Sequence, residues 1–262
     1  MPDSDDPFDF IAAESRLLRL AKALDAPVAK ERHALALVAL GQRSRTLFRA
    51  FRQVQRGRAA VAAPALLRPM VEINVLIRFL AKNPELHTEL WELEGERNAI
   101  TIAHEITSSP AMSERWMDFP LDLASFADRK AEVEKVRAKA REAKIPGVGE
   151  KGPVLPSIVK QLETINESAA NEIYTMVYRS LSWDVHGGAR ALLAGRFLEH
   201  RDGSVSYTED TDDTEPARAL AISTFASTLK LCSLPLHLDI EAEAEDVLRA
   251  YVPQSPDRPR RR

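Results

Sequence analysis

The amino-acid sequence predicts an all-α fold, a multi-helix bundle of about seven or eight helices with one small β-hairpin. Three observations carry this reading. Ala, Leu and Arg are abundant while aromatic residues make up 6% of the chain, a mix that favours helix over sheet. Apolar residues recur at three- and four-residue spacings through most of the sequence. Only FLEHRDGSVSYT, centred on Asp202-Gly203, reads as a pair of short strands.

Taken in order, a first helix is expected from Phe8 to Leu24, with Ile11, Leu17, Leu18, Ala21 and Leu24 inward. A longer one follows from Val28 to Arg56. It turns Leu35, Val38, Leu47, Phe48, Phe51 and Val54 inward and leaves Arg43, Arg45, Arg49 and Arg52 as a basic outer surface. The most apolar stretch runs from Ala59 to Lys82, where Pro64 and Pro69 should kink or restart the helix. Asn83-Pro84 supplies an N-cap and a proline at the first helical position, opening a helix to Ile106. Residues 107–121 read as an irregular connection. The segment from Asp122 to Lys144 reads as a charged helical arm with little to bury, and 145–156 as a Gly/Pro loop. The glycines of that loop lack the strand-turn-helix setting of a phosphate-binding loop. A helix from Ser168 to His186 stops at Gly187-Gly188, and a short one follows from Ala189 to Gly195. After the hairpin, an acidic loop leads into two final helices broken near Pro235.

With 262 residues the chain can bury a large core, and it is read as a single helical domain over 8–252. Residues 1–7 are expected to be an acidic disordered start and 253–262 a disordered basic tail. A formal net charge of -3 makes no electrostatic case for nucleic acid from the chain as a whole. The single cysteine, Cys232, sits in the apolar run LKLCSLPL and suggests core packing. No stretch approaches the roughly 20 apolar residues of a membrane span, and no signal peptide is legible, so a cytoplasmic protein without a membrane partner is expected.

Three places set polar residues into helices. Arg68 and Glu72, four apart in LLRPMVEINVLIRFL, can pair with each other or reach a shared polar pocket. Arg97 and His104 are seven apart, which brings both to one helix face at the edge of the apolar stripe. In NEIYTMVYRSLSWDVHGG, Glu172, Arg179 and His186 lie nearly opposite the stripe of Ile173, Tyr174, Val177, Leu181 and Val185. Tyr178, Ser182 and His186 make a second polar line at four-residue spacing. Such a face lines a cleft, a dimer interface or a hydrogen-bonded network between packed helices.

LLRPMVE followed by YRSLSWDVHGGA resembles an uncharacterised bacterial all-helical family of unknown function, with an early R-x-x-x-E helix and a later Y-x-x-L-S-x-x-x-H-G signature. The resemblance runs from about residue 40 to 235 and implies no activity. More loosely, the chain is similar to the HEPN group of helical bundles, whose ribonucleases use an Arg and a His separated by four to six residues. Arg179 and His186 fit that spacing, and so do Arg97 and His104.

That similarity implies a metal-independent ribonuclease of a toxin or defence system, with no cofactor and RNA as the partner. Arg179 and His186 would be catalytic, and Arg68, Glu72, Glu172, Tyr178, Ser182, Arg97 and His104 would form a supporting polar pocket. A histidine near neutral pKa can take the 2′-hydroxyl proton, and an arginine can stabilise the phosphorane. No His/Asp/Glu cluster has metal-ligand spacing, and no GxSxG or GxGxxG motif is present. The rival reading is a non-catalytic helical interaction or ligand-sensing module, engaging a partner protein or a second copy of the chain. A third is an unrecognised hydrolase built on Glu72 and His186. The helical wheel separates the roles of two residues. Leu181→Ala, on the apolar stripe, should lower stability by about 2–5 kcal/mol. His186→Ala should melt close to the unaltered protein, and thermal melting of both variants checks the pair.

Overall fold

The computed structural model describes residues 9–25, 31–56, 63–109, 125–166, 197–199, 202, 204–207 and 214–251. Among them are eight α-helices: α1 Phe10–Leu20, α2 Arg32–Arg56, α3 Ala63–Lys82, α4 Pro84–Ser108, α5 Ser125–Glu142, α6 Ile158–Ile165, α7 Thr214–Ser233 and α8 Glu241–Tyr251. A short 3-10 helix, Ala21–Asp25, continues α1. Strands β1 Phe197–Glu199 and β2 Val205–Tyr207 pair antiparallel, with Leu198 opposite Ser206. The chain divides into two compact units, one of Met1–Ile77 with Glu167–Arg262 and the other of Arg78–Asn166, so the last residues of α3 belong to the second.

In the first unit, α7 packs against α1, α2 and α8. Helix α1 starts where the Asp9 side chain accepts a hydrogen bond from the Ala12 backbone N–H at 2.8 Å. It buries Phe10, Ala13, Leu17 and Leu20, and the 3-10 turn adds Ala21 and Leu24. Helix α2 buries Ala34, Leu37, Leu40, Leu47, Phe48 and Phe51. At Gly41 a β-carbon would lie 3.0 Å from Leu24 Cδ1 and 3.5 Å from Cys232 Sγ, so the missing side chain permits that close approach. Phe48 of α2 stacks on Phe225 of α7 with centroids 4.6 Å apart, and both are fully buried. Phe10 meets Tyr251 of α8 at 5.5 Å.

Two apolar residues expected inside are on the surface. Ile11 is 61% exposed and Leu35 53%. Leu35 stands two residue steps, about 200°, from Leu37, which places it on the far side of the helix. Ile11 lies one step beyond Phe10, outside the arc that faces α7. The basic outer surface also needs correction, because Arg45 turns back to the Asp25 carboxylate at 2.8 and 2.9 Å and to the Ala21 carbonyl. Helix α3 opens at Ala63 with Pro64 in its first turn and runs on through Pro69. The start of a helix has no use for a proline's missing N–H, so Pro64 fits there without loss. Asn74 of α3 is buried, and its amide bonds the hydroxyls of Ser227 and Thr228 of α7, each at 3.1 Å.

In the second unit, Asn83 caps α4 by accepting from the Leu86 N–H, with Pro84 at the first helical position. The charged helix α5 has more to bury than its composition suggests. Val133, Val136, Arg137 and Ala140 fall at i, i+3, i+4 and i+7, are all buried, and belong to a helix that packs on α4. The reading of this segment as a weakly packed arm is therefore corrected. The stripe is narrow and three of its members are small or aliphatic, so the charged residues dominate the composition. Residues 145–157 have no regular structure, with Gly147 and Gly152 at φ 86° and 90°. Asn166, at φ 51°, closes α6 in the left-handed conformation. The segments expected as helices over 168–186 and 189–195 lie outside the described residues.

The Phe48–Phe225 contact should be a major stabiliser of the first unit. Phe225→Ala is expected to cost about 3–5 kcal/mol in chemical denaturation, and Leu35→Ala, on the surface, within about 0.5 kcal/mol of nothing.

Candidate functional site

A charge forced into the inward stripe of α1 draws three arginines around it. Glu14 falls four residues after Phe10 and three before Leu17, so it points inward, and its side chain is only 3% exposed. A carboxylate at such a position is costly unless cations reach it. Three do. Arg52 of α2 donates from Nε to Oε2 at 2.8 Å, and Arg56, one turn on, donates from Nη2 to the same oxygen at 3.1 Å. Arg218 of α7 donates from Nε and Nη2 to Oε1 at 3.3 and 3.1 Å, and its guanidinium lies 4.6 Å above the Phe10 ring.

Beside this cluster is a groove of about 340 Å³ lined by Leu18, Arg49, Arg52, Gln53 and Arg56. The four α2 residues stand at i, i+3, i+4 and i+7, one face of the helix over about 10 Å of its length. Arg49 is exposed, and Arg56 keeps 53% of its side chain accessible. Each guanidinium carries five donors, so Arg52 and Arg56 retain N–H groups after serving Glu14. The groove therefore presents forked, permanently charged donors, one neutral amide and one aliphatic wall. That is the chemistry of an anion-binding site.

Arg68 and Glu72 meet each other, Nε to Oε1 at 3.1 Å, with 24% and 42% of their side chains exposed. Arg97 is turned toward the preceding turn of α4. It grips both oxygens of Glu94 at 2.7 to 3.1 Å and also donates to the Asn98 side chain at 2.9 Å. Glu94 in turn accepts the backbone N–H groups of Val154 and Leu155 at 2.6 and 3.2 Å, which fixes the end of the Gly/Pro loop. From the buried side of α5, Arg137 donates to the carbonyls of Glu150 and Gly152, each at 2.9 Å. His104 is part of α4, its side chain not described, while Glu172, Tyr178, Arg179, Ser182 and His186 lie outside the described residues altogether. The expected convergence of Glu72 with His186 falls there too.

Two other reactive side chains have structural settings. His87 is buried and stacked on Phe79 at 3.9 Å. Its Nδ1 donates to the Phe79 carbonyl, and burial holds its pKa below the ordinary value against that hydrogen bond. Burial pushes the Cys232 thiol up to about 12, so it is no nucleophile at neutral pH. Among the described residues, no group of three or more His, Cys, Asp or Glu is placed to hold a metal ion. No described helix is long and apolar enough to cross a membrane.

None of Glu14, Arg49, Arg52, Gln53, Arg56 and Arg218 was among the residues expected at a site, Arg49 and Arg52 being read only as part of a basic outer surface. The signal for Glu14 was present in the sequence, since its spacing from Phe10 and Leu17 puts a charge on an apolar face. Arg218 had no such signal, because its partner is 204 residues away.

The model of a family of unknown function (DUF5677) matches residues 34–205, about two thirds of the chain, and the protein belongs to that family. No curated protein and no solved structure matches it. The matched span includes Arg49, Arg52 and Arg56 of the groove, and excludes Glu14 and Arg218.

The Glu94 clamp sets a pH dependence. Burial raises its pKa, but Arg97 and the two backbone N–H groups together outweigh it and hold the carboxyl below its ordinary value. A carboxyl with a lowered folded pKa contributes stability that is complete above the unfolded value, about 4.3, and is lost as pH falls through the folded value. Glu94→Gln should therefore reduce stability at neutral pH and flatten its decline below about pH 4.3, as read by denaturant titrations at stepped pH.

Proposed function

We propose that this member of the family is an RNA-directed protein of the bacterial cytoplasm, acting as a metal-independent endoribonuclease of a toxin or defence system. The observation that carries the reading is the α2 groove, where Arg49, Arg52 and Arg56 share one helix face and Glu14 draws on Arg52 and Arg56. An overall charge of -3 argues against non-specific attraction to polyanions, so affinity for RNA must come from such a local array. Strand cleavage is assigned to Arg179 and His186 on their HEPN-like spacing. His186 takes the 2′-hydroxyl proton and Arg179 stabilises the charge that builds on the phosphorus. Neither role calls for a cofactor.

A second reading, a non-catalytic interaction module, draws support from the ion pairs Arg68–Glu72 and Arg97–Glu94. Each of these places an arginine against a carboxylate of its own helix, which is how polar residues serve packing. Cleavage of total RNA in EDTA separates the two. Under the ribonuclease reading, His186→Ala and Arg179→Ala each lower the cleavage rate by about 10²–10⁴ while RNA binding persists. Binding should weaken steeply with salt. RNA that is bound with no cleavage by any variant would favour the module.

A further inference from the structure

We propose that the acidic N-terminal segment of this chain, through Asp3, Asp5 and Asp6, is the resident occupant of the α2 groove, which any anion from outside must displace, whether or not that anion is RNA. Charge supplies the attraction. Arg52, Arg56 and Arg218 share the single carboxylate of Glu14, and exposed Arg49 stands beside them along the groove. One carboxylate leaves this corner of the first unit strongly positive, and Arg56 keeps 53% of its side chain accessible. The run MPDSDDPF, directly ahead of α1, holds three carboxylates and no basic side chain.

The tether is what sets this occupant apart from other anions. Helices α1 and α2 run antiparallel, since Glu14 meets Arg52 and Arg56 while Ala21 and Asp25 meet Arg45. The chain ahead of Asp9 therefore joins α1 at the Arg56 end of the groove. From Asp9 to the level of Glu14 is about 8 Å along the helix axis, and to Leu18 about 14 Å. Residues 3–8 span up to about 20 Å when extended, enough to fold back past Arg56 and Gln53 to Arg49. Pro7 disfavours helical backbone at Asp6, which biases the run toward a strand rather than an earlier turn of α1. Capping does not account for these acids. Asp9 already accepts the Ala12 N–H, and the pull of a helix dipole fades within its first turn, whereas Asp3, Asp5 and Asp6 lie ahead of that turn. A short tether also holds the segment at an effective concentration in the millimolar range, which offsets the weak affinity of three carboxylates.

The test is disulfide cross-linking in the full chain, with thermal melts to verify that each variant folds. Ser4→Cys is paired with Gln53→Cys in the groove and, as a control, with Leu35→Cys, which is exposed and about 27 Å away along α2. Buried Cys232 stays in place. The groove pair is expected to close within one chain about tenfold faster than the control. Asp3→Asn, Asp5→Asn and Asp6→Asn together should slow it to the control rate. Equal rates for the two pairs would overturn the proposal, and so would a rate that the three substitutions leave unchanged. A disulfide that joins two chains, read as a doubled mass, would assign the groove to a second copy instead. Displacement is read by fluorescence anisotropy with a labelled oligoribonucleotide of about ten nucleotides. The triple Asn variant is expected to bind it about tenfold more tightly than the unaltered chain, and Arg49→Ala to remove most of that gain. Equal binding, or a gain that persists with Arg49→Ala and so reports net charge alone, would overturn the competition. No binding of the strand by either chain would sink the RNA-directed reading only, because the cross-link is read without RNA.

Discussion

Glu14 is the constraint around which the first unit is arranged. A carboxylate at 3% exposure needs compensating cations, and no single helix supplies them. Arg52 and Arg56 come from α2 and Arg218 from α7, so the demand of one charge fixes α1 against two neighbours at once. Arg218 then carries the arrangement on to Phe10, whose other contact is Tyr251 of α8. Four helices are thus referred to a single point through directional contacts, which hydrophobic burial alone would leave free to slide. The peripheral ion pairs differ in weight. Arg16 with Glu243 and Arg249 with Glu245 involve side chains at 35–75% and 25–46% exposure, where water and salt reduce such pairs to about 0–1 kcal/mol.

The second unit solves the inverse problem. A loop without regular structure leaves its own N–H and C=O groups to be satisfied, and here two side chains do so from opposite signs of charge. Arg137 takes the carbonyls of Glu150 and Gly152, while Glu94 takes the N–H groups of Val154 and Leu155. Each is the inward charge of an amphipathic helix, and each is spent on backbone. Arg97, which the sequence offers as a member of a supporting polar pocket, is likewise engaged in holding Glu94.

The helices were legible because their stripes repeat within a few residues. Asn83-Pro84 announced α4, and Pro235 the break between α7 and α8. What misled was the weight given to composition. Helix α5 looks like a solvated arm because its surface charges outnumber Val133, Val136 and Ala140, yet those three share a face. Ile11 and Leu35 look inward because they are apolar, yet the angle about the helix puts them out. The polar cluster at Glu14 was half legible. A charge on an apolar stripe demands a partner, but sequence spacing can name only a partner on the same helix, as it did for Arg68 and Glu72. Partners 38 to 204 residues away are set by the packing of α1, α2 and α7, which only coordinates reveal.

The tight seam at Gly41 has a use that concerns neither folding nor ligands. Cys232 is the chain's one thiol, buried where a β-carbon on Gly41 would meet its Sγ at 3.5 Å, with that Sγ 3.7 Å from the Leu37 carbonyl and its pKa pushed up to about 12. A maleimide or disulfide reagent finds no thiolate there until α2 and α7 separate. The protein therefore carries its own stopwatch for that separation. The rate at which a thiol reagent consumes its single equivalent reports how often the interior of the first unit opens to water, without any introduced label.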